Sequence, residues 1–193
     1  MRDAIVLEQV SKIYDGKTVL DNVSMTFGAG GRYCITGPSG CGKTTLLNVL
    51  MGLTAPDSGA VVGADCHRMA PVFQENRLCE NLSVGANIRL TSRNKLSPGQ
   101  ISDTLDRLLL PGAIHKTVRA LSGGMKRRVA IARALLSGGD LLIFDEAFRE
   151  LDEATAEAVA GEVMRALDGK TLIMVTHDLS LVGRLSCEHI PFS

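Results

Sequence analysis

The sequence predicts an α/β fold, and three observations support this prediction. Residues 37–44 read Gly-Pro-Ser-Gly-Cys-Gly-Lys-Thr, which fits the phosphate-loop pattern of Gly, four free positions, Gly-Lys and then Ser or Thr. Residues 141–144 and 171–176 are buried-strand patterns that end in polar residues, which is where α/β sheets bind their ligands. With 193 residues, 45% of them hydrophobic, the chain can bury a core as one or two compact lobes.

The residues of the phosphate loop each have a physical role. Its glycines let the backbone turn so that successive N–H groups point at phosphate oxygens, at the positive end of the following helix. Lys43 brings a positive charge to the β- and γ-phosphates, and the Thr44 hydroxyl is placed to ligate Mg²⁺. A β-rich run over 32–36 precedes the loop, and an apolar helical pattern over 45–51 follows it. We therefore predict that a nucleoside triphosphate is bound by Gly37, Pro38, Ser39, Gly40, Cys41, Gly42, Lys43, Thr44 and Thr45.

The other elements follow from hydrophobic periodicity and from capping and turn residues. Asp15-Gly16 is a hairpin turn, so the runs on either side of it should form an antiparallel pair. Ser97 is a natural N-cap, and Pro98 suits the first turn of a helix. In chain order we expect strands over 5–10 and 18–26, a loop and short strand over 53–68 before Pro71-Val-Phe73, and helices over 83–90, 98–110, 126–136 and 153–167.

A second motif, Leu121-Ser-Gly-Gly-Met125, precedes the helical run over 126–136. Ser122 is a natural N-cap, and Gly123 and Gly124 allow close backbone approach to an anion at the N-terminus of that helix. Alone, the motif is equally explained by a turn that leads into a helix. Together with the phosphate loop upstream, it resembles the Leu-Ser-Gly-Gly-Gln signature of the nucleotide-binding subunit of ABC (ATP-binding cassette) transporters.

The resemblance to this family implies roles for further residues. It implies that Asp145 binds Mg²⁺, directly or through water, and that Glu146 is the general base that polarises the attacking water. It places Gln74 near the Mg²⁺ and the γ-phosphate, His177 as a sensor of the γ-phosphate, and Tyr14 as the ring that stacks on adenine. The implied catalytic group is Lys43, Gln74, Glu146 and His177, the implied metal ligands are Thr44, Gln74 and Asp145, and the implied nucleotide contacts include Tyr14, Ser122, Gly123 and Gly124.

Each of these side chains also has a structural explanation. Tyr14 could be a surface tyrosine beside the hairpin turn, and His177 could be a structural histidine at a strand end. Asp145 and Glu146 could be solvated acids. The assignment of Gln74 depends entirely on motif order and context.

The resemblance extends from about residue 5 to 178 and implies a P-loop NTPase fold. The expected architecture has a RecA-like core, an N-terminal antiparallel β portion and an inserted helical subdomain at about 75–120, within a single ABC ATPase domain over 1–193. The chain departs from the family pattern in places. Met125 replaces the signature glutamine, Ala147 stands where many relatives have Pro, and Glu150 stands where many have Gly before Leu151-Asp152, the D-loop.

Composition limits the partners and the compartment. The formal net charge is zero, with 21 basic and 21 acidic residues, so the sequence shows no electrostatic footprint for nucleic acid. We interpret Lys126-Arg127-Arg128 as the solvated face of the signature helix. No apolar run is long enough to span a membrane, the N-terminal residues do not show the charged-then-apolar pattern of a leader, and five irregularly spaced cysteines indicate reduced thiols. These features predict a cytoplasmic protein. Cys66-His67 and Cys187-Glu-His189 lack a paired CxxC, which argues against a metal site there.

The resemblance predicts a function that needs other chains. It implies an ATPase subunit that energises a separate transmembrane permease, as a head-to-tail dimer with a second ATPase subunit, peripheral on the inner face of the membrane. Ser122 and Gly124 would contact the nucleotide of the opposite subunit. The sequence most resembles the nitrate, sulfonate and taurine importer group, which adds a substrate-binding protein as a possible partner. The alternatives are a soluble ABC-type ATPase that drives another process, and a nonhydrolytic nucleotide-binding module, against which Glu146 and His177 argue.

Overall fold

The computed structural model describes residues 4–193, in which strands alternate with helices over most of the chain. The strands are β1 (Ile5–Tyr14), β2 (Lys17–Phe27), β3 (Arg32–Thr36), β4 (Ser58–Val62), β5 (Met69–Val72), β6 (Leu141–Asp145), β7 (Thr171–Val175) and β8 (Glu188–Pro191). The helices are α1 (Lys43–Leu50), α2 (Val84–Thr91), α3 (Pro98–Arg107), α4 (Gly123–Leu136), α5 (Glu153–Ala166) and α6 (Ser180–Arg184). None of the helices within residues 4–193 has the length and apolar character that crossing a membrane requires.

The strands form two sheets of different kinds. An antiparallel sheet has the order β2-β1-β4, and its hairpin turns at Asp15-Gly16 as predicted, although both strands are longer than expected. A parallel sheet has the order β5-β6-β7-β3-β8. The predicted α/β class is therefore confirmed, with a RecA-like parallel core and an antiparallel portion at the N-terminal side.

The parallel sheet is covered on both faces, which explains the continuous apolar runs of its strands. Ile143 and Ile173 point to one core, which includes α1 and the antiparallel sheet. Phe144 and Met174 point to the other core, which includes α4 and α5. Because successive strand residues face opposite sides, a strand buried on both sides has no polar position to alternate with. This is the physical reason why β6 and β7 could be recognised from sequence.

A helical portion lies between β5 and α4 and packs against α4. Its helix α3 begins at a capping box, in which the Ser97 hydroxyl accepts from the Gln100 N–H and the Gln100 side chain accepts from the Ser97 N–H. The prediction of a helix over 98–110 was too long. The helix ends at Arg107 because Leu109 has a φ of 57°, in the left-handed region, which no α-helix can continue through.

The C-terminal elements α6 and β8 were missed by the sequence analysis. They are short, and the four residues of β8 read Glu-His-Ile-Pro, which has neither an alternation of polar and apolar residues nor a continuous apolar run. The strand pairs with β3, and the chain continues so that the Phe192 N–H donates to the Thr36 carbonyl at 2.7 Å. The Thr36 hydroxyl and the His189 Nε2 are also 2.7 Å apart. This edge strand therefore lies directly behind the residues that lead into the phosphate loop.

A buried asparagine fastens the start of the helical portion. Asn87, on α2, is 1% exposed; its Nδ2 donates to the carbonyls of Cys79 and Ser83, both at 3.0 Å. Its Oδ1 accepts from the Cys79 N–H at 2.8 Å. Every polar atom of this amide is thus used to hold the incoming chain against the helix.

We predict that Asn87→Leu lowers the free energy of unfolding by about 2 kcal/mol, because the Cys79 N–H loses its acceptor and the carbonyls of Cys79 and Ser83 each lose the donor that the Asn87 amide supplies. Urea unfolding measures this as a lower midpoint at an unchanged m-value. Asn94→Leu, at an exposed position, is the matched control and should change stability by less than about 0.5 kcal/mol. Equal losses in the two variants would contradict the assigned role of the Asn87 amide.

Candidate nucleotide-binding site

The phosphate loop joins β3 to α1, and two of its glycines are required by their surroundings. A Cβ atom on Gly37 would lie 1.9 Å from the Phe192 carbonyl oxygen, so no larger residue fits. Gly42 has a φ of 100° and would place a Cβ 2.7 Å from the Val19 carbonyl. The close approach comes from the C-terminal segment on one side and from β2 on the other. The tertiary fold therefore supplies the reason for two of the fixed positions of the motif.

The loop holds the Lys43 ammonium at its centre. Lys43 is 8% exposed, and its Nζ donates to the carbonyls of Gly37 at 2.8 Å and Pro38 at 2.7 Å. The Sγ of Cys41 is 3.6 Å from the same Nζ and donates to the Phe192 carbonyl at 3.6 Å. Consequently, the charge faces the concave side of the loop, where a phosphate would be received.

A cleft of about 270 Å³ opens beside the loop and brings most of the predicted residues together. It is lined by Val19, Ser39, Gly40, Gly42, Lys43, Thr44, Thr45, Gln74, Asp145, Glu146 and Val175. Gln74 comes from the segment after β5, and the two acids come from the carboxyl end of β6. Sequence reasoning did not include Val19 and Val175, which are apolar wall residues without a motif of their own.

Asp145 is a buried acid with an unused oxygen. The residue is 4% exposed, and its Oδ1 has no hydrogen-bond partner within residues 4–193. Burial raises the pKa of the Asp145 carboxyl, an effect that the Thr44 side chain and the charge of Lys43 oppose. An anionic oxygen without a partner, beside a hydroxyl, is a suitable donor pair for Mg²⁺, which is usually held by one or two carboxylates together with substrate phosphates. The residues present therefore fit this ion.

Within residues 4–193, no three His, Cys, Asp or Glu side chains are grouped so as to hold a metal ion by themselves. The two Cys and His pairs noted in the sequence have other environments. Cys66 is exposed while His67 is buried, and the ring of His189 contacts the Thr36 hydroxyl.

Glu146 and His177 form a pair at the ends of adjacent strands. The His177 Nδ1 is 3.0 Å from the Glu146 Oε2, and the Glu146 N–H donates to the Val175 carbonyl at 3.0 Å. Glu146 has a φ of 50°, so the chain turns sharply as soon as β6 ends. The side chain of Glu146 is 16% exposed and that of His177 is 71% exposed, so water can reach the pair. The geometry suits a carboxylate that a histidine orients towards the cleft.

The four predicted nucleotide contacts beyond the phosphate loop, Tyr14, Ser122, Gly123 and Gly124, lie outside this cleft. Tyr14, at the end of β1, is 43% exposed, and its ring centroid is 5.4 Å from the Lys12 Nζ. The Ser122 hydroxyl caps α4 by accepting from the Met125 N–H at 3.3 Å. Gly123 is close to the D-loop of its own chain, since a Cβ atom there would lie 3.1 Å from the Glu150 Oε2. None of these residues lines the cleft, so their roles in nucleotide binding stay predictions.

The interpretation of Lys126-Arg127-Arg128 as a solvated face was wrong. Arg127 is 3% exposed, and its guanidinium donates to the carbonyls of Phe73 and Gln74. Arg128 donates to the Leu109 carbonyl at 2.8 Å, and Lys126 pairs with Glu80 at 2.6 Å. All three cations of the run point at neighbouring segments because α4 is surrounded by the helical portion and the Gln74 segment. The sequence of a basic run does not show whether its side chains contact solvent or backbone carbonyl oxygens.

Together, the phosphate loop on a parallel sheet and the acids at the end of the neighbouring strand define a P-loop nucleotide-binding protein. The chain belongs to the ABC transporter family, whose family model matches residues 20–149. Its match includes the phosphate loop, Gln74, the signature motif and the Asp145-Glu146 pair.

Individual relatives agree with the family assignment. The sulfate/thiosulfate import ATP-binding protein CysA 2 of Chromobacterium violaceum is 40% identical over 187 residues, covering 87% of this chain and 51% of the relative. The taurine import ATP-binding protein TauB of Roseobacter denitrificans is 38% identical over 179 residues, covering 86% and 66%. This chain thus spans between half and two thirds of the length of these relatives.

Among solved structures, the ATP-binding cassette MJ0796 is similar over nearly its whole length. The structure is a dimer in a post-hydrolysis state bound to ADP and Pi. The superposition has a TM-score of 0.85 at 27% identity and covers 98% of this chain and 94% of the other.

The D-loop departure at Glu150 gives a prediction about stability. Glu150 has a φ of 69°, in the left-handed region that favours glycine. Glu150→Gly should therefore raise the free energy of unfolding by roughly 0.5–1 kcal/mol, measured by urea denaturation. Glu150→Ala removes the same carboxylate but keeps a Cβ, so it should give no comparable gain. If alanine stabilised the protein as much as glycine, the carboxylate rather than the backbone would be the source of the effect.

Proposed function

We propose that this chain is an ATP-hydrolysing subunit that energises transport by a separate membrane permease. The observation that carries the proposal is the convergence of Gln74, Asp145 and Glu146 with the phosphate loop on one cleft. The pairing of His177 with Glu146 adds an orienting group for a general base. A protein that only bound nucleotide would not need a carboxylate and a histidine in this arrangement.

Hydrolysis in this site depends mainly on positioning and charge. The loop N–H groups and Lys43 hold the β- and γ-phosphates of ATP, and Tyr14 stacks on the adenine. Glu146 accepts a proton from the attacking water while His177 fixes the orientation of the carboxylate. Thr44, Gln74 and Asp145 would hold Mg²⁺, which when bound neutralises charge on the β- and γ-phosphate oxygens.

The signature motif requires a second subunit in this proposal. Ser122, Gly123 and Gly124 are at the N-terminus of α4 and do not line the cleft of their own chain. In a head-to-tail dimer with two-fold symmetry, the signature of each chain would complete the nucleotide site of the other. The dimeric, ADP-bound state of the structurally similar cassette MJ0796 supports this arrangement. ATP then joins the two subunits, and hydrolysis releases them.

The membrane partner would dock near the Gln74 segment and the helical portion. A groove of about 570 Å³ lies there, and its lining includes Phe73, Arg77, Arg93 and Arg133. The import ATP-binding relatives favour an importer of the nitrate, sulfonate and taurine group, with a substrate-binding protein as a further component. Residues 1–193 would act as one ATPase domain, with about 75–120 as its helical subdomain, peripheral on the cytoplasmic face of the membrane.

The first test is steady-state hydrolysis of ATP with Mg²⁺. Glu146→Gln keeps the size of the side chain but removes the proton acceptor, so kcat should fall by roughly 10²- to 10⁴-fold. Lys43→Ala should abolish both ATP binding and turnover. Glu157→Gln, on the exposed face of α5, is the matched control and should keep the wild-type rate. Wild-type turnover in Glu146→Gln would remove Glu146 from the catalytic role.

The second test concerns the dimer. Because Glu146→Gln binds ATP but does not hydrolyse it, this variant should elute as a dimer with ATP and Mg²⁺ and as a monomer without them. Adding Ser122→Arg should abolish the dimer, since the serine contacts the nucleotide of the opposite subunit. Ser58→Arg, on the exposed edge strand β4, is the control and should leave the dimer intact. A dimer that survives Ser122→Arg would contradict the head-to-tail arrangement.

A further inference from the structure

The segment that carries Gln74 is held by two arginines of the signature helix. We call residues 73–77 the Gln74 loop; it follows β5 and contains neither helix nor strand. The guanidinium of Arg127 donates to the carbonyls of Phe73, at 2.7 Å, and Gln74. The guanidinium of Arg133 donates to the carbonyls of Arg77, at 2.7 Å, and Asn76, at 3.3 Å.

These contacts are the main attachment of the loop. For the carbonyls of 74, 76 and 77, the hydrogen-bond donors found within residues 4–193 are these two guanidinium groups. Bonds from a charged donor are stronger than neutral ones, and a guanidinium presents its N–H groups in a fixed planar fork. The fork of Arg127 therefore fixes two successive carbonyls, and with them the direction of the Gln74 side chain between them.

Burying the Arg127 guanidinium costs solvation free energy. Its side chain is withdrawn from water, and its Nε has no hydrogen-bond partner within residues 4–193. Burial lowers the pKa of the Arg127 guanidinium and the charge of Arg149 adds to this, whereas the carboxylates of Glu150, Asp145 and Glu146 act in the opposite direction. The cation thus lies between the D-loop, the acidic end of β6 and the Gln74 loop. A side chain with only a packing role would not need a charge at this position.

We propose that Arg127 is a positioning residue for ATP hydrolysis, which holds the Gln74 main chain so that the Gln74 side chain stays in the cleft. The inference rests on the proposed function and deepens it. Arg127 is on the same helix as Ser122, so the Gln74 loop is attached to the signature motif through one rigid element. Movement of α4 relative to the parallel sheet therefore moves Gln74 relative to Asp145 and Glu146.

The same attachment connects the groove to the cleft. Phe73, Arg77 and Arg133 line the groove, while Gln74 lines the cleft. The Arg77 guanidinium stacks on the Phe73 ring at 3.8 Å from its centroid. The groove and the cleft are therefore lined by neighbouring residues of the same loop.

Hydrolysis kinetics test whether Arg127 acts through Gln74. Arg127→Met keeps an unbranched side chain without the donors, and kcat per folded molecule should fall roughly 10- to 100-fold with a smaller change in KM for ATP. Arg165→Met, at an exposed position of α5, is the control and should stay within about threefold, since its guanidinium pairs with Glu162 and does not contact the Gln74 loop. In a Gln74→Ala background, Arg127→Met should cause almost no further loss, because the two changes remove one function.

Equal losses from Arg127→Met with and without the Gln74 side chain would overturn the proposal, since a general loss of structure is additive with Gln74→Ala. Arg127→Lys can donate to one carbonyl and should recover part of the rate. A lysine variant no better than methionine, together with additive losses, would assign Arg127 to packing alone.

Hydrogen exchange without nucleotide gives a second measure that does not depend on hydrolysis. Arg127→Met should speed exchange in peptides that cover residues 69–80 while leaving peptides from the core strand β6 unchanged. If Arg127→Met left hydrogen exchange in residues 69–80 unchanged, the proposal that Arg127 holds the Gln74 loop would be overturned even if hydrolysis fell. If the wild-type chain failed to hydrolyse ATP at all, the proposed function would fail, whereas the exchange result would still decide whether Arg127 holds the loop.

Discussion

The site depends on the register of three neighbouring parallel strands. Ile35 of β3 pairs with Val175 of β7, and Asp145 of β6 pairs with the same Val175, so all three strands end at one level. The phosphate loop, the two acids and His177 each follow one of these ends. Parallel strands that end together place their following residues at one edge of the sheet, which is where this fold class binds ligands. A shift of one residue in β6 would turn Asp145 to the opposite face.

The charged side chains at the cleft are positioned mainly by contacts other than simple ion pairs. Lys43 is held by loop carbonyls, and Arg127 donates to carbonyls near both acids. Asp145 is buried, and its Oδ1 has no hydrogen-bond partner in the part of the chain that the structure describes. The two cations are thus kept in place by backbone carbonyls, whereas Asp145 interacts with the Thr44 side chain and the charge of Lys43. In our proposal this leaves the cation of Lys43 and the oxygen of Asp145 free to change their contacts when substrate arrives, without reorganising the surrounding fold.

Long arginine side chains connect the helical portion to the rest of the chain. Arg107 on α3 donates to the buried Glu162 on α5 at 2.8 Å, and Arg128 on α4 reaches the Leu109 carbonyl that follows α3. Arg127, Arg128 and Arg133 are all on α4, so this helix contacts both the helical portion and the Gln74 loop. The signature helix is therefore placed to transmit movement between the two lobes and the Gln74 loop, as our further inference requires.

The sequence by itself determined the elements whose signals are local: the phosphate loop, the buried strands β6 and β7, and the helices α3, α4 and α5, whose N-caps are Ser97, Ser122 and Asp152. Spacing, apolar runs and capping residues encode these features, so neighbours in sequence suffice to recognise them. The tertiary structure alone decided the pairing of Glu146 with His177, the place of β8 behind the phosphate loop, and the direction of Arg127. These contacts join segments far apart in the chain, and a basic run looks the same whether its charges meet water or buried carbonyl groups.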